Sequence, residues 1–268
     1  MQLAINYSPQ AAALLGQKAI VLDRFKLPNW DWLIAEARAF APVYVHFDLI
    51  AGDGKLAQRD WGVLERQLRE TDTRYLNVHL FPRLSDFRWT AQPDKAGEAR
   101  VIETMLRDIA LAVSRVGAGR VIVENIPLKR KDGAVTLCVN ADVIRDVLRA
   151  TGAGLLLDLS HARLTCEALG WDLSQYLDAL PLERTREVHV TGIVTIEGQR
   201  RDHFGMQPDD WPFLDMALDK LKARGAQPDM LSFEYGGVGE RFEWRSETEV
   251  IARDMPLLAE RVRAFSGR

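Results

Sequence analysis

The chain has 268 residues, 47% of them hydrophobic and 27% charged, and a formal net charge of −3. This is the balance of a soluble globular protein, and it excludes a strongly basic nucleic-acid binder or a polybasic membrane-surface protein. No run approaches the ~20 apolar residues of a membrane span, and Met1 to Gln10 lacks the basic start and apolar centre of a signal peptide, so a cytoplasmic location with neither membrane nor nucleic acid as partner is expected.

In chain order the sequence alternates strand and helix signals. Leu3–Tyr7 predicts a first strand, Ala11–Leu15 an apolar segment behind it, and Ala19–Leu22 a second strand ending at Asp23. Trp30, Leu33, Ile34, Ala37 and Phe40 recur at helical spacing, and Pro42 stops that helix before a third strand, Val43–His46. Gln58–Thr71 predicts a helix, and Tyr75–His79 a fourth strand. The loop Arg83–Pro93 carries Phe87 and Trp89, which either touch substrate or pack over the mouth. Ala96–Val116 predicts the longest helix, closed by Gly117. Arg120–Asn125 is the fifth predicted strand, Ala141–Ala150 a helix, Glu187–Val190 the seventh strand, Trp211–Arg224 a helix, Met230–Tyr235 the eighth strand and Glu249–Phe265 a closing helix.

The sixth strand is the centre of the pattern. Gly154-Leu155-Leu156-Leu157-Asp158-Leu159-Ser160-His161 is an apolar run suited to burial on both faces, with an aspartate and a histidine three residues apart at its exit. A carboxylate there needs compensation, by a cation or by capping a following helix. Eight strand-helix steps in a chain near the ~250 residues of a (β/α)8 barrel predict an α/β fold, a single TIM-barrel domain over residues 1–268. The two cysteines, Cys138 and Cys166, form no metal-binding pair and read as small buried apolar residues.

All five histidines fall at or just past strand ends: His46, His79, His161, His189 and His203. Asp23, Glu124, Asp158 and Glu234 take the same places on other strands, and Asp202 adjoins His203. In a barrel these ends converge on one mouth, where active sites of this fold lie. So many imidazoles and carboxylates exceed one octahedral ion, and an imidazole-rich mixed set favours iron, zinc or manganese. Residue types alone leave open an iron that binds dioxygen and a metal-dependent hydrolase or isomerase.

The segments Val45-His46, Asn77-Val78-His79-Leu80, Val123-Glu124-Asn125-Ile126-Pro127, Gly154 to Asp158, Tyr176 to Arg184, Glu187 to Gly192, Asp202-His203 and Phe233-Glu234 resemble, in order and spacing, the signatures of the multinuclear non-haem iron-dependent oxidative enzymes. That family includes the oxygenase of methanobactin biosynthesis and lies among the xylose-isomerase-like barrels. The resemblance implies two or three irons that activate dioxygen and modify a residue, often cysteine, of a ribosomally made peptide, with or without a separate substrate-recognition protein. It carries ligand roles onto His46, His79, Glu124, Asp158, His189, His203 and Glu234, with His161 as a substitute donor and Glu124, His189 and Asp202 as candidate catalytic groups. The chain departs from the family at Ile193, where a second histidine is usual, at Ser160-His161, around Asp23 to Pro28, and in the contracted Asp202-His203 pair.

Three readings stand at this point: the oxidative enzyme; a sugar isomerase or epimerase using manganese, zinc or another divalent ion, with Glu124 and Glu234 as ligands or acid-base pair and His189 and Asp158 completing the site; and a binding protein with a decayed site. Gly236-Gly237-Val238-Gly239 reads as a flexible turn or a phosphate-binding loop, and Lys129-Arg130-Lys131 as a solvated turn or a steering patch for acidic substrate.

Overall fold

The computed structural model describes residues 1–128 and 133–267. The basic turn Lys129-Arg130-Lys131 lies outside them. Among the described residues, parallel strands alternate with helices: β1 Gln2–Asn6, α1 Pro9–Gly16, β2 Arg24–Leu27, α2 Asp31–Ala37, β3 Val43–Val45, β4 Ile50–Ala51, α3 Trp61–Glu70, β5 Leu76–Leu80, α4 Lys95–Val116, β6 Val121–Glu124, α5 Ala141–Thr151, β7 Gly154–Asp158, α6 Leu159–Leu169, α7 Leu173–Ala179, β8 Thr185–Val190, an inserted hairpin of β9 Gly192–Ile196 and β10 Gln199–Phe204, α8 Asp210–Ala223, β11 Met230–Phe233 and α9 Thr248–Ser266.

The main sheet runs β3-β2-β1-β11-β8-β7-β6-β5-β4, and its pairings are parallel. Its two edges, β3 and β4, are consecutive in the chain, so residues 43–51 close the sheet on itself as one broken barrel strand. Where the ladder to β5 is missing, side chains replace it: Val45 N donates to Thr73 Oγ1 at 2.9 Å and Phe47 N to Asn77 Oδ1 at 2.7 Å. The fold is the expected α/β TIM barrel.

The main core lies between strands and helices, where Phe25, Leu76, Met105, Ile109 and Leu258 are fully buried; each such side chain contributes about 1.5–3 kcal/mol over leaving it exposed. Inside the barrel, two small apolar groups, Ala4/Tyr44/Met230 and Tyr75/Ile122/Leu156, fill the lower part. Because side chains alternate along a strand, the residue two positions on from each points into the barrel one layer higher. From Ala4, Tyr44, Ile122 and Leu156 this step leads to Asn6, His46, Glu124 and Asp158. A layer that plugs the barrel therefore places the polar layer above it.

Two sequence expectations are corrected here. Ala19–Leu22 is not a strand: β2 begins at Arg24, and Asp23 sits at its entry rather than its exit. Asp23 accepts from Leu3 N at 2.7 Å, which makes it a structural bond at the far end from the mouth. The Arg83–Pro93 aromatics pack on one another, with Phe87 and Trp89 stacked at 4.5 Å, and neither lines the mouth. No helix among the described residues is long and apolar enough to cross a membrane.

Candidate metal centre

At the C-terminal ends of the strands lies a cavity of about 330 Å³. Its polar floor includes Lys26, His46, His79, Glu124, His161, His203 and Glu234, and Tyr7, Trp30, Phe242 and Arg245 stand in its wall. A larger cavity of about 750 Å³ opens at the opposite end of the barrel. Its charged residues include two ion pairs, Arg24 with Asp72 and Arg74 with Asp229, and among the described residues no cluster of metal donors lies in it.

Three donor triads lie side by side at the mouth: His46/His79/Glu124, Glu124/Asp158/His161 and Asp158/His189/Glu234. Neighbouring triads share a carboxylate, the arrangement by which two ions are held close together. In the first, His46 Nε2, His79 Nε2 and Glu124 Oε2 are 3.2–3.4 Å apart. Ligand bonds of about 2.0–2.1 Å at tetrahedral angles would separate donor atoms by about 3.3 Å. The carboxylate oxygens facing these groups, Glu124 Oε2 and Asp158 Oδ2, are buried and accept no hydrogen bond. Orphaned acceptors beside convergent imidazoles are costly unless a cation lies among them. The donor set therefore fits a metal.

Surrounding groups fix each ring. The Leu49 carbonyl stands 3.1 Å from His79 Nδ1 and holds its proton there, which leaves Nε2 to face Glu124. The Asn125 carbonyl does the same for His161 Nδ1 at 2.9 Å, and His161 Nε2 then faces Asp202 Oδ2 at 3.5 Å. His189 Nε2 is 2.7 Å from Glu187 Oε1, which also accepts from Tyr44 Oη at 2.8 Å, so Nδ1 is turned towards Glu234 at 3.2 Å.

Asp158 serves two purposes. Its Oδ1 accepts from His161 N at 2.7 Å and caps α6, while Oδ2 faces the site. The capping reading of this stretch holds, with His161 buried rather than on the surface, and Oδ2 is left over for a cation.

Charge at the site is unbalanced. Burial pushes the Asp158 carboxyl up to about 7, against the pull of His161 and with a further push from Glu234 and Glu124. Burial and the Lys26 charge work to strip His189 of its proton, but Glu234 and Glu187 outweigh them and carry it up to about 10. His46 is held well below the ordinary imidazole value by burial and by the Lys26, His189 and His79 charges, so its lone pair is available. Negative charge in surplus draws in whatever positive charge is at hand.

The hairpin supplies two more residues. Its pairing shifts register between Arg201 and Phe204, and His203 has φ of 68°. Neighbours on a regular strand point to opposite faces, but this bulge turns both Asp202 and His203 to the mouth. His203 Nδ1 lies 3.3 Å from the Glu234 carbonyl and 3.7 Å from its Oε2, outside the three triads. Ile193 is buried and does not line the cavity. Gly236 and Gly237 do line it; a side chain at Gly236, φ 114°, would lie 2.4 Å from the Asn6 carbonyl oxygen, so this glycine allows a close approach of chains.

Sequence reasoning missed Lys26. It is 4% exposed, inward-facing on β2, and its Nζ lies on Glu234 Oε1 and 3.2–3.3 Å from both ring nitrogens of His189. It also missed Glu187, Trp30, Phe242 and Arg245. A buried lysine among predicted ligands breaks the apolar pattern by which the strand would be found.

Comparison with known proteins agrees with the motifs. Residues 99–228 match the family described as RiPP precursor modification enzyme MbnB/TglH/ChrH, a stretch that holds Glu124, Asp158, His161, His189, Asp202 and His203. This bears out the resemblance read from the sequence. A UPF0276 protein of Acaryochloris marina is 26% identical over 144 residues, 49% of this chain and 48% of that one. A UPF0276 protein of a Caulobacter species is 39% identical over 57 residues, 21% of each. The matched stretches thus span about half the length of the first relative and about a fifth of the second. Solved structures share the whole barrel at low identity. A D-psicose 3-epimerase from Clostridium cellulolyticum H10, crystallised with D-tagatose, aligns over 99% of both chains at 13% identity and TM-score 0.58. A mannonate dehydratase from Streptococcus suis serotype 2 aligns over 99% of this chain and 95% of its own at 10% identity and TM-score 0.61. The family and these neighbours are enzymes.

Proposed function

We propose that this chain, a relative of the RiPP precursor-modifying enzymes, is a single-domain, cytoplasmic metalloenzyme over residues 1–268 that uses dioxygen to modify a residue, possibly a cysteine, of a ribosomally made peptide. The observation that carries the reading is the row of three triads joined through Glu124 and Asp158, on a chain whose residues 99–228 match that family. Two or three irons would be held by His46, His79, Glu124, Asp158 and His161, with His189, His203 and Glu234 as the remaining donors. Iron bound there supplies electrons to dioxygen and a site with affinity for a substrate thiolate.

The chain's own groups do the rest. Tyr7, Trp30 and Phe242 form an apolar wall that excludes water from a bound peptide segment. Arg245 lines the same cavity, where its guanidinium charge suits a carboxylate or peptide carbonyl of the substrate. Glu187 keeps a proton on His189 Nε2, and Asp202 stands beside His161 as a proton acceptor. A cavity of about 330 Å³ takes one or two side chains of a peptide, so the remainder of a substrate lies outside it and is open to a separate recognition protein.

One observation favours a sugar isomerase or epimerase instead: Glu124 and Glu234 are both buried at the mouth, three strands apart, where an acid-base pair would stand. Lys26 already engages Glu234, which ranks this reading second. Metal analysis of protein purified without oxygen separates the possibilities. Two or more irons per chain support the oxidative enzyme. One manganese or zinc supports the isomerase, and no metal after reconstitution leaves a binding protein with a decayed site.

A further inference from the structure

We propose that the Lys26 ammonium occupies the third triad, Asp158/His189/Glu234, in place of a metal ion, so that the centre holds two ions and one fixed organic cation. This inference rests on the metal-centre reading above and narrows it.

Three observations carry it. Lys26 Nζ engages Glu234 Oε1 and lies 3.3 Å from His189 Nδ1, two of the three members of that triad. An ion there would need the same Glu234 oxygen and would stand against the ammonium. The backbone of Lys26 is locked between Asn6 on β1 and Tyr44 on β3, which aims its stem up the barrel interior at this point.

Charge gives the second argument. Among the described residues, five buried carboxylates surround the axis and mouth: Glu124, Asp158, Glu187, Asp202 and Glu234. Two divalent ions and one ammonium carry the same amount of opposite charge even before any proton on His189 is counted. A third divalent ion beside Lys26 would leave buried positive charge uncompensated, which is strongly unfavourable.

The third argument is the contrast with the other two triads. Among the described residues, no lysine or arginine pairs with the carboxylates of His46/His79/Glu124 or Glu124/Asp158/His161, whose nearest charged partners are the imidazoles themselves. The substitution is local to one position. Its chemical consequence is that this position can neither change oxidation state nor bind substrate, and it presents N–H donors to the cluster edge instead.

The test is the number of ions per chain. Wild-type protein, Lys26→Ala and Lys26→Arg are produced with excess ferrous iron, handled without oxygen, and analysed by elemental mass spectrometry against protein concentration. The expected result is about two irons for the wild type and Lys26→Arg, and about three for Lys26→Ala, roughly a 1.5-fold rise. Lys26→Asn, which keeps a polar group against Glu234, replaces the alanine variant if circular dichroism finds that one unfolded. Three irons in the wild type, or no gain in either folded variant, overturns the inference while leaving the metal centre in place. No iron in any of the chains overturns both.

Discussion

Asn77 and Phe47 exchange two hydrogen bonds, Phe47 N to Asn77 Oδ1 at 2.7 Å and Asn77 Nδ2 to Phe47 O at 3.0 Å. One side-chain amide thereby stands in for a rung of the sheet at the place where the barrel closes. The same amide nitrogen is 3.1 Å from His46 Nε2, so the closing residue also packs against a ring of the site. Asn77→Leu strands a buried N–H and a buried C=O, at about 1–3 kcal/mol each. A thermal melt of the variant should show a Tm lower by several degrees, at about 2–4 °C per kcal/mol for a domain near this size. An unchanged Tm would mean the two edges are held by other bonds.

Glu124 belongs to two triads, and its Oε2 accepts no hydrogen bond. Glu124→Gln removes its charge from both ion positions and leaves the shape of the side chain. Metal content should fall at least about tenfold under limiting metal, with the circular dichroism spectrum unchanged. Full retention of metal would strike Glu124 from the ligand set.

Gly236 has φ of 114°, and a methyl group on it would lie 2.4 Å from the Asn6 carbonyl oxygen. Gly236→Ala should lose about 2 kcal/mol or more from the strained backbone and the clash. Because Glu234 is two residues away, weaker metal binding should accompany the lower Tm. A variant with wild-type Tm and metal content would make this a tolerant turn.

Burial drives both cysteine thiols up to about 12. At pH 8 only about one thiol in ten thousand is then thiolate, against roughly a quarter of ordinary cysteines. A disulfide reagent should label neither Cys138 nor Cys166 in the native chain within the time that labels both in denaturant. Fast labelling of the folded protein would contradict their burial.

The fold was legible wherever apolar runs were uninterrupted. Gly154–Asp158 and Val121–Glu124 are such runs, and their exit residues Asp158 and Glu124 stand at the site. Strand two was misplaced onto Ala19–Leu22 because the true strand, Arg24-Phe25-Lys26-Leu27, alternates charge with apolar residues. The charge that hid it is the lysine that meets Glu234 and His189. An inward lysine is unfavourable by every rule of core composition, and only the carboxylate and imidazole opposite, distant in sequence, account for it. The β9–β10 hairpin was equally hidden, although Glu197-Gly198, both with positive φ, is the turn signal between its strands. The histidines were found by their place after strands, but which nitrogen each presents depends on carbonyls such as those of Leu49 and Asn125, and a side-chain pattern holds no information on these.

Helix α6 starts at the Asp158 cap and, two turns on, Glu167 grips Arg200 of β10 through two bonds of 2.9 and 3.1 Å. From Arg200 the strand runs two residues to Asp202, which returns to His161 on the first turn of the same helix. Helix, ion pair and bulged strand thus form a closed truss, with one corner at the solvent and the opposite corner among the buried carboxylates. The exposed pair on the barrel's exterior is therefore only two residues of strand away from the carboxylate that faces His161.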